Sequence, residues 1–330
     1  MADALRWGIV GTGMIAGVFA KCLEQAKRGV KAAVASRNRD KAIAFAAKNG
    51  IPTAYGSYAE LLADPGIDAV YVATPHPCHR EVVLAAAAAG KHILCEKPLG
   101  VTVAECREMI AAADAAGVVL LEAFMYRVHP QTALIRETLA QGRIGQVRVV
   151  RSAFCFGLGD AYNVRLDASL RGGGLYDVGC YCINFSRMVA GEEPADVAAV
   201  WTLGATTGVD ESLAGALRFP SGIVAHFDVC MRATGSSYAE VLGTDGSLWV
   251  PAPWHPNAEN AVIELRARGK APESLTVTGG GRSFTLEADH LAAVVQDGVA
   301  PLIPAANAVG NAAVLDAIWR RMHPGEGTVG

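Results

Sequence analysis

A lysine between a glutamate and a proline is the first candidate for chemistry. Lys97 stands in Cys95-Glu96-Lys97-Pro98, directly after a short apolar run that predicts a buried strand. Ligands of open α/β sheets bind outside the carboxyl ends of the strands, so this position predicts that Lys97 faces a ligand. A lysine beside another positive charge has a lowered pKa and can donate a hydrogen bond to a substrate oxygen. A solvent-exposed Glu-Lys pair is the alternative, and the spacing alone does not decide between the two.

Asp177 and Tyr181 form the second candidate pair, and they follow the glycine run Gly172-Gly173-Gly174. If the segment is a helix, residues four apart share one face. A tyrosine near a lysine ammonium becomes more acidic and can act as a general acid or base. The glycines allow the backbone to approach either a ligand or another strand. A buried tyrosine bonded to a structural aspartate is the competing interpretation.

The segment Gly11-Thr12-Gly13-Met14-Ile15-Ala16 matches the pattern G-x-G-x-x-G/A between a predicted strand and a predicted helix. In that context the first glycine permits a tight turn, the second lets the backbone approach a pyrophosphate, and the alanine lets the helix pack closely. The N–H groups at the start of the helix then face the phosphates. An ordinary glycine-rich turn is the alternative. The expected dinucleotide contacts are Gly11, Thr12, Gly13, Met14 and Ile15.

Residues at the tip of the second predicted strand indicate which dinucleotide binds. NAD sites carry an acidic residue about 20 residues after the glycine motif, where it binds the ribose 2′-hydroxyl. Here the sequence reads Ala35-Ser36-Arg37, with a hydroxyl and a guanidinium and no carboxylate to repel a 2′-phosphate. This favours NADP(H) over NAD(H), unless Arg37 is a solvated loop charge.

Two further turns at strand ends are expected to line the cofactor cleft. The first follows the third strong predicted strand and carries two histidines three residues apart. With no carboxylate nearby, such a pair is more typical of a structural or cofactor-lining role than of a metal site. The second turn is the one that carries the candidate lysine. The expected cofactor contacts in these turns are Thr74, Pro75, His76, His79, Glu96 and Lys97.

Strand-like and helix-like segments alternate over the first 122 residues, with apolar runs such as Val30–Ala35 and Ile67–Ala73 separated by helical stretches. This alternation predicts βαβ units and a doubly wound parallel sheet, the Rossmann arrangement. From Val197 to Val277, β-like runs separated by turns predict a meandering, mostly antiparallel sheet in an α+β domain. We therefore expect two domains, over residues 1–124 and 125–330.

Composition narrows the class of protein. The chain has 330 residues, a formal net charge of −3, 52% hydrophobic and 18% charged residues, and no long run of Lys or Arg. Nucleic acid and anionic membranes are therefore not expected as partners. No signal peptide is apparent and the eight cysteines are scattered, so we expect a cytoplasmic protein with reduced thiols. No metal site is expected, since Cys180-Tyr181-Cys182 lacks a second ligand pair.

Taken in order, three segments resemble the glucose–fructose oxidoreductase/inositol dehydrogenase/MocA family over essentially the whole chain. They are the glycine motif, Glu96-Lys97-Pro98 and Gly173-Gly174-Leu175-Tyr176-Asp177-Val178-Gly179. The Glu-Lys-Pro motif after a Rossmann strand is the most specific of them. Glu122-Ala123-Phe124-Met125-Tyr126-Arg127, Ala35-Ser36-Arg37 and Tyr181 resemble the branch with dimeric dihydrodiol dehydrogenases and NADP-dependent D-xylose dehydrogenases.

The resemblance implies a role for each candidate. Lys97 would be the catalytic lysine, Tyr181 the acid/base where many relatives have a histidine, and Asp177 the residue that holds the substrate. Ser36 and Arg37 would meet the 2′-phosphate. A further residue, Trp254, would lie against a sugar ring or an aromatic diol, or else at a subunit interface. The second domain would bind substrate and form a homodimer or larger oligomer through a large open sheet.

The function expected on these grounds is NADP(H)-dependent hydride transfer involving a hydroxyl or carbonyl of a polyol or sugar-like substrate. Oxidation of an aldose at C1, of the D-xylose or glucose type, is the first choice. Oxidation of a trans-dihydrodiol, or reduction of a dicarbonyl or anhydrofructose-type compound, is the second. A non-catalytic NADP(H) redox sensor and a nicotinamide-dependent glycosidase are alternatives of other classes, although a sensor needs none of Lys97, Asp177 and Tyr181.

Overall fold

The computed structural model describes residues 4–159 and 163–325, which form two compact units. The first unit comprises Met1–Val128 and Gly281–Val309, and the second comprises His129–Gly280 and Gly310–Gly330. The sequence prediction placed Gly281–Val309 with the second domain, whereas this segment packs with the first unit. Its helix is amphipathic, but nothing in its apolar spacing identifies which sheet it covers.

A six-stranded parallel sheet forms the centre of the first unit. Its strands are β1 (Leu5–Val10), β2 (Gly29–Ala35), β3 (Thr53–Tyr55), β4 (Ala69–Val72), β5 (His92–Glu96) and β6 (Leu120–Ala123). They are ordered β3-β2-β1-β4-β5-β6, and every neighbouring pair is parallel. This is the doubly wound order of dinucleotide-binding domains, so the predicted Rossmann sheet is confirmed. The short edge strand β3 was not predicted, because three half-buried residues carry no distinct pattern.

Five helices connect these strands: α1 (Met14–Cys22), α2 (Arg39–Asn49), α3 (Tyr58–Ala63), α4 (His79–Ala88) and α5 (Val103–Ala116). Local signals set their ends. The Asn38 side chain accepts the N–H of Lys41 at 3.0 Å at the start of α2, and Gly50 ends that helix in the left-handed conformation. These caps fix where each helix begins relative to the strand before it.

One apolar cluster of the first unit lies on one face of its sheet. Phe19 of α1 stacks on Tyr71 of β4 with ring centroids 3.8 Å apart, and Trp7 of β1 meets Phe19 edge-on at 5.2 Å. The helix Ser283–Asp297, from late in the chain, joins this cluster through Ala288 and Leu291. The first sheet is therefore completed by a helix that follows the whole second sheet in sequence.

An eight-stranded sheet forms the centre of the second unit. Its strands are β7 (Val147–Gly157), β8 (Asp196–Leu203), β9 (Asp210–Arg218), β10 (Val224–Cys230), β11 (Arg232–Gly243), β12 (Gly246–Val250), β13 (Asn260–Ala267) and β14 (Glu273–Thr278). They are ordered β14-β13-β12-β11-β7-β10-β9-β8. Only the β7–β10 pair is parallel among these neighbours, so the predicted mostly antiparallel sheet is confirmed.

The second unit adds α6 (Pro130–Ala140), α7 (Cys180–Ala190) and, from Gly310 onward, α9 (Asn307–Met322), while Ser283–Asp297 of the first unit is α8. Helix α7 packs on β7 and β10. Along β10, buried Ala225, Phe227 and Val229 alternate with more exposed neighbours, so one face of the sheet is covered and the other is open.

The open face of the second sheet carries apolar side chains. Val200 is 70% exposed, and Val224 and Val262 are also exposed. Tyr238 stacks on Trp249 there, with ring centroids 5.0 Å apart. The side of the sheet away from α7 thus carries exposed apolar side chains beside ion pairs such as Arg151–Glu240.

Two further findings concern the chain as a whole. No helix in residues 4–159 and 163–325 is long and apolar enough to cross a membrane. The eight cysteines all lie within these ranges and form no disulfide, and six of them are buried.

Candidate active site

The predicted cofactor residues lie at one edge of the first sheet. Strands β2, β1, β4 and β5 are consecutive neighbours and run parallel. The turns that follow them therefore meet at the same edge of the sheet, where doubly wound domains bind their ligands. This edge gathers the glycine motif, Ser36-Arg37, Thr74–His79 and Glu96-Lys97.

The glycine turn after β1 is built for close backbone approach. Gly11 has φ +109° and its N–H donates to the Ala35 oxygen at 2.9 Å, and a Cβ on it would lie 2.8 Å from the Ala73 oxygen. Only glycine fits that position. A Cβ on Gly13 would meet nothing within 4 Å, and no side chain caps the start of α1. The first N–H groups of α1 thus have no side-chain cap and are available to an anion.

The tip of β2 carries Ser36 and Arg37. Ser36 is buried and its hydroxyl accepts the N–H of Asn38 at 3.3 Å, while Arg37 is exposed. The Arg37 guanidinium lies near the hydroxyl of Tyr58 on α3; burial raises the pKa of Tyr58 and the guanidinium opposes that rise. Sequence reasoning missed Tyr58, because it is separated from Arg37 by the whole of α2.

A recess of about 530 Å³ opens beside the glycine turn. Lys41 and Lys48 of α2 line it, and they add positive charge next to the exposed N–H groups of α1. Both were missed, since lysines on an alanine-rich helix have the pattern of ordinary surface charges. The lining residues are Thr12, Gly13, Lys41, Ala44, Phe45 and Lys48.

His79 is buried beneath this edge, although the sequence predicted a cofactor contact. It is 1% exposed, and its Nε2 lies 2.9 Å from the Thr74 oxygen while its Nδ1 lies 3.0 Å from the Pro98 oxygen. Burial lowers the pKa of His79 to about 4, so the ring is neutral at physiological pH. A neutral imidazole carries one N–H, so His79 donates to one of these two carbonyl oxygens and packs between the turn after β4 and the turn after β5.

The remaining predicted residues of these two turns stay at the edge. Pro75 and His76 are partly exposed, and the buried Thr74 hydroxyl has no hydrogen-bond partner among the described residues. A buried polar atom without a partner is rare, and a ligand at this edge would satisfy it.

Lys97 follows β5 and is joined to Pro98 by a cis peptide bond. The residue is partly exposed, whereas Glu96 is buried at 7% exposure. The Glu96 carboxylate accepts the Tyr71 hydroxyl and, at 3.3 Å, the backbone N–H of Lys97. Glu96 thus braces the Lys97 peptide against the core. The uncapped helix start, the lysines of α2 and the unpartnered Thr74 hydroxyl together fit a dinucleotide phosphate chain and its ribose.

In the second unit, Asp177 and Tyr181 lie on one continuous helix. Leu175–Gly179 form a π-helical turn that runs into α7, so the predicted helix is present but begins with a wider turn. Single π turns occur often at functional sites. The Asp177 carboxylate accepts the Arg165 Nε at 2.5 Å, and both side chains are partly exposed, at 13% and 28%. Arg165 was missed, because it lies in a three-residue 3₁₀ turn, Val164–Leu166, that is too short to have a periodic pattern.

Aromatic side chains surround Tyr181. The Tyr181 ring is 6% exposed, meets Phe154 of β7 edge-on at 5.5 Å and lies tilted against Trp254 at 5.8 Å. Phe154 also contacts the exposed His255 at 6.0 Å. The alternation along β7 could have identified Phe154, since it shares a face with buried Val150 and Ser152.

Trp254 is buried, although the sequence predicted that its ring would lie against a substrate or at a subunit interface. It is 0% exposed, stacks on Phe154 at 5.9 Å, and its Nε1 donates to the Ala153 oxygen at 3.0 Å. A buried indole with its N–H bonded is a packing element. Trp254 therefore stands behind Phe154 and Tyr181 and fixes where their rings lie.

Two family models match the chain. The model described as the oxidoreductase family with an NAD-binding Rossmann fold covers residues 5–124. The model of the GFO/IDH/MocA C-terminal domain covers residues 132–249.

Individual proteins agree with these matches. The chain is 38% identical to trans-1,2-dihydrobenzene-1,2-diol dehydrogenase of Mus musculus over 92% of each chain. It is 36% identical to an uncharacterized oxidoreductase of Rhizobium meliloti over 98% of each. Similar solved structures include the 3-ketoreductase KijD10 of Actinomadura kijaniata in complex with NADP and TDP-benzene, at TM-score 0.87 and 28% identity, covering 96% of this chain and 97% of that one.

Another similar structure is the aldose-aldose oxidoreductase of Caulobacter crescentus, at TM-score 0.88 and 28% identity, covering 97% of this chain and 98% of that one. The matches span both units, and the relatives with a stated activity are oxidoreductases. The chain therefore belongs to the GFO/IDH/MocA family of NAD(P)-binding oxidoreductases.

Proposed function

We propose that the chain interconverts a secondary alcohol and its carbonyl with NADP(H), on a small substrate that has neighbouring hydroxyl groups and a flat apolar side. The observation that carries this proposal is the setting of Tyr181. Its phenol follows Asp177 by one helical turn and is flanked by the edge of Phe154. A proton carrier, a hydrogen-bonding carboxylate and an apolar wall thus occur on adjoining elements of one unit.

The dinucleotide would be held by the edge of the first sheet. The start of α1 would bind the pyrophosphate, with Lys41 adding charge, and the Thr74 hydroxyl would bond to the ligand. Arg37 supports NADP over NAD, because its guanidinium can pair with a 2′-phosphate. In addition, no carboxylate lies at the tip of β2 to repel that phosphate. The NADP bound to KijD10 supports the same assignment.

When bound, the nicotinamide accepts or supplies the hydride. The residues of the chain handle the proton. Tyr181 takes the hydroxyl proton on its Oη during oxidation and returns it during reduction. Lys97 stabilises the negative charge that develops on the same substrate oxygen. Asp177, oriented by Arg165, accepts a hydrogen bond from a neighbouring hydroxyl and sets the position of the substrate.

A trans-dihydrodiol is the substrate class that these features favour, ahead of the aldose that the sequence suggested first. The Tyr181–Phe154–His255 wall suits a flat carbocycle, and several mammalian trans-dihydrobenzenediol dehydrogenases are 36–38% identical to the chain. An aldose remains the second candidate. The Asp177–Arg165 pair suits a polyhydroxylated ring, and the Caulobacter aldose-aldose oxidoreductase is similar in structure.

A substrate-by-cofactor screen tests the proposal. Purified chain with NADP⁺ or NAD⁺ is mixed with trans-1,2-dihydrobenzene-1,2-diol, D-xylose and D-glucose, and absorbance follows net formation of the reduced dinucleotide. We expect the highest kcat/KM with the diol and NADP⁺. Higher kcat/KM with an aldose would reverse the order of substrates, and no turnover of any alcohol would support a redox sensor or a glycosidase.

Variants at the two assigned residues test the mechanism. Tyr181→Phe should lower kcat by roughly 10²–10⁴, the usual range for a lost general acid or base, and leave NADPH binding unchanged. Lys97→Met should lower kcat similarly, and the double variant should be little worse than either, because both act on one oxygen. Full activity of Tyr181→Phe would remove the tyrosine from the mechanism.

The open face of the second sheet is proposed to pair with a second copy of the chain. Exposed valines, the stacked Tyr238 and Trp249 and ion pairs such as Arg151–Glu240 lie on a face that no helix covers among the described residues. Large exposed apolar patches mark interaction sites, and a two-fold axis lets one such surface cover itself. A homodimer would bury it.

A further inference from the structure

Asp210 is a buried carboxylate to which the mechanism above gives no role. It is the first residue of β9 and is only 4% exposed. Within residues 4–159 and 163–325, no lysine or arginine pairs with it. A buried charge without a cation is costly, so it persists only where other groups stabilise it.

The groups that stabilise Asp210 are backbone N–H groups at the start of the helix that carries Asp177 and Tyr181. Leu175 donates to Asp210 Oδ2 at 2.7 Å, and the N–H of Gly174 also bonds to the carboxyl. The first N–H groups of a helix have no partner within the helix, and its N-terminal end carries a partial positive charge. Asp210 supplies the acceptor from 35 residues away in sequence. Burial raises the pKa of Asp210 to about 7, so the carboxylate adds the opposite charge above that pH.

The glycine run before this helix is explained by the same contact. A Cβ on Gly173 would lie 1.9 Å from Asp210 Oδ1, and Gly173 has φ +119°. A Cβ on Gly172 would lie 2.5 Å from the Arg165 oxygen, to which Gly173 donates at 2.8 Å. The glycines therefore admit the carboxylate on one side and the Arg165 loop on the other. The sequence left open whether they approach a ligand or a strand, and the structure shows a strand.

We infer that Asp210 is a positioning residue for the active site: it anchors the start of the Leu175–Ala190 helix and thereby sets the positions of Asp177 and Tyr181. The inference rests on the function proposed for Tyr181. Asp177 is the third residue of the helix and Tyr181 lies one turn further on, so a shift of the helix start moves both. Misplacement of a reacting group by about 1 Å can lower a rate by about 10²-fold.

Asp210→Asn tests the inference, because it keeps the shape of the side chain and removes the charge and one acceptor. We expect kcat to fall by roughly tenfold or more, while KM for NADP⁺ stays within about twofold, since the dinucleotide motif belongs to the first unit. Glu211→Gln is the matched control. It removes the neighbouring carboxylate, which bonds to Arg232 instead of the helix, and kcat should stay unchanged.

A double-variant cycle separates positioning from general stability. Because Asp210 positions Tyr181 as well as Asp177, Asp210→Asn should lower kcat by a smaller factor in a Tyr181→Phe background than in the wild type. The inference alone would be overturned if Asp210→Asn lowered kcat by the same factor in both backgrounds. It would also be overturned if Asp210→Asn left the wild-type kcat unchanged while Tyr181→Phe was inactive. Full activity of Tyr181→Phe would overturn the proposed function and the inference that rests on it.

Hydrogen exchange on the unaltered chain gives a measurement that does not depend on a variant folding. The amides of Gly174 and Leu175 should be protected to a degree similar to those in the middle of α7, because they bond to a buried carboxylate. Exchange at the rate of an exposed loop would overturn the inference, whatever the behaviour of Asp210→Asn.

Discussion

His79 offers a direct test of how the edge of the first sheet is held. Its two ring nitrogens lie 2.9 Å from the Thr74 oxygen and 3.0 Å from the Pro98 oxygen. Burial lowers the pKa of His79 from 6.5 to about 4, outweighing the carbonyl oxygens, which raise it. The folded protein therefore holds a neutral imidazole that the unfolded chain protonates in mildly acidic solution.

The magnitude follows from these two pKa values. Because the folded pKa is depressed, the stabilisation is complete above the unfolded pKa and is lost as the pH falls through the folded one. Each unit of difference between them is worth about 1.4 kcal/mol. Between about pH 7.5 and pH 5 the protonation of His79 should lower the free energy of unfolding by about 2 kcal/mol, and by about 3 kcal/mol once both pKa values are passed.

Urea unfolding of the wild type and of His79→Gln at the two pH values, followed by circular dichroism, measures this loss. The other groups are common to both proteins, so the difference between them isolates His79. At the higher pH we expect the wild type to be more stable than His79→Gln. At the lower pH that difference in the free energy of unfolding should be about 2 kcal/mol smaller. His226→Gln, at an exposed strand position, controls for the substitution. An advantage that does not change with pH would refute the neutral, buried state.

Three further predictions concern other parts of the site. Arg37→Ala should raise KM for NADP⁺ by about tenfold and leave KM for NAD⁺ nearly unchanged, and equal effects on both would refute the 2′-phosphate contact. Trp254→Phe should lower the free energy of unfolding by about 1–3 kcal/mol and also lower kcat, so an unchanged melting temperature would contradict its packing role. Light scattering should show a dimer at micromolar concentration and a monomer for Val200→Asp, and a monomeric wild type would refute the proposed interface.

Much of the first unit could be predicted because its signals are local. The motif from Gly11 to Ala16 needs only a strand before it and a helix after it, and both have clear apolar patterns. Lys97 could be placed at the sheet edge by the same logic, since the apolar run of β5 ends directly before it. In such cases a few neighbouring residues contain the whole physical argument.

The sequence did not show burial or packing where these depend on a distant partner. In the sequence, His79 is compatible with a structural role and with a cofactor-binding role. Only its contact with the carbonyl oxygen of Pro98, 19 residues away, shows that it lies between two turns. Trp254 follows two prolines and suggests an exposed loop, yet the Ala153 oxygen and Phe154 bury it. Helix α8 has an apolar face that either sheet could accept, and the sequence does not state which one it covers.

His79 and Asp210 show a common way of building this site. Each is a buried polar side chain that accepts or donates only to backbone groups, and each fixes a segment whose other residues are assigned to the reaction. Backbone contacts are independent of the side chains on the segment, so Lys97 or Tyr181 can be exchanged without disturbing the brace. Loss of the His79 or Asp210 side chain, by contrast, moves the segment that it holds and every side chain on that segment. Variants at these two positions should therefore alter kcat in proteins that still fold and still bind the dinucleotide.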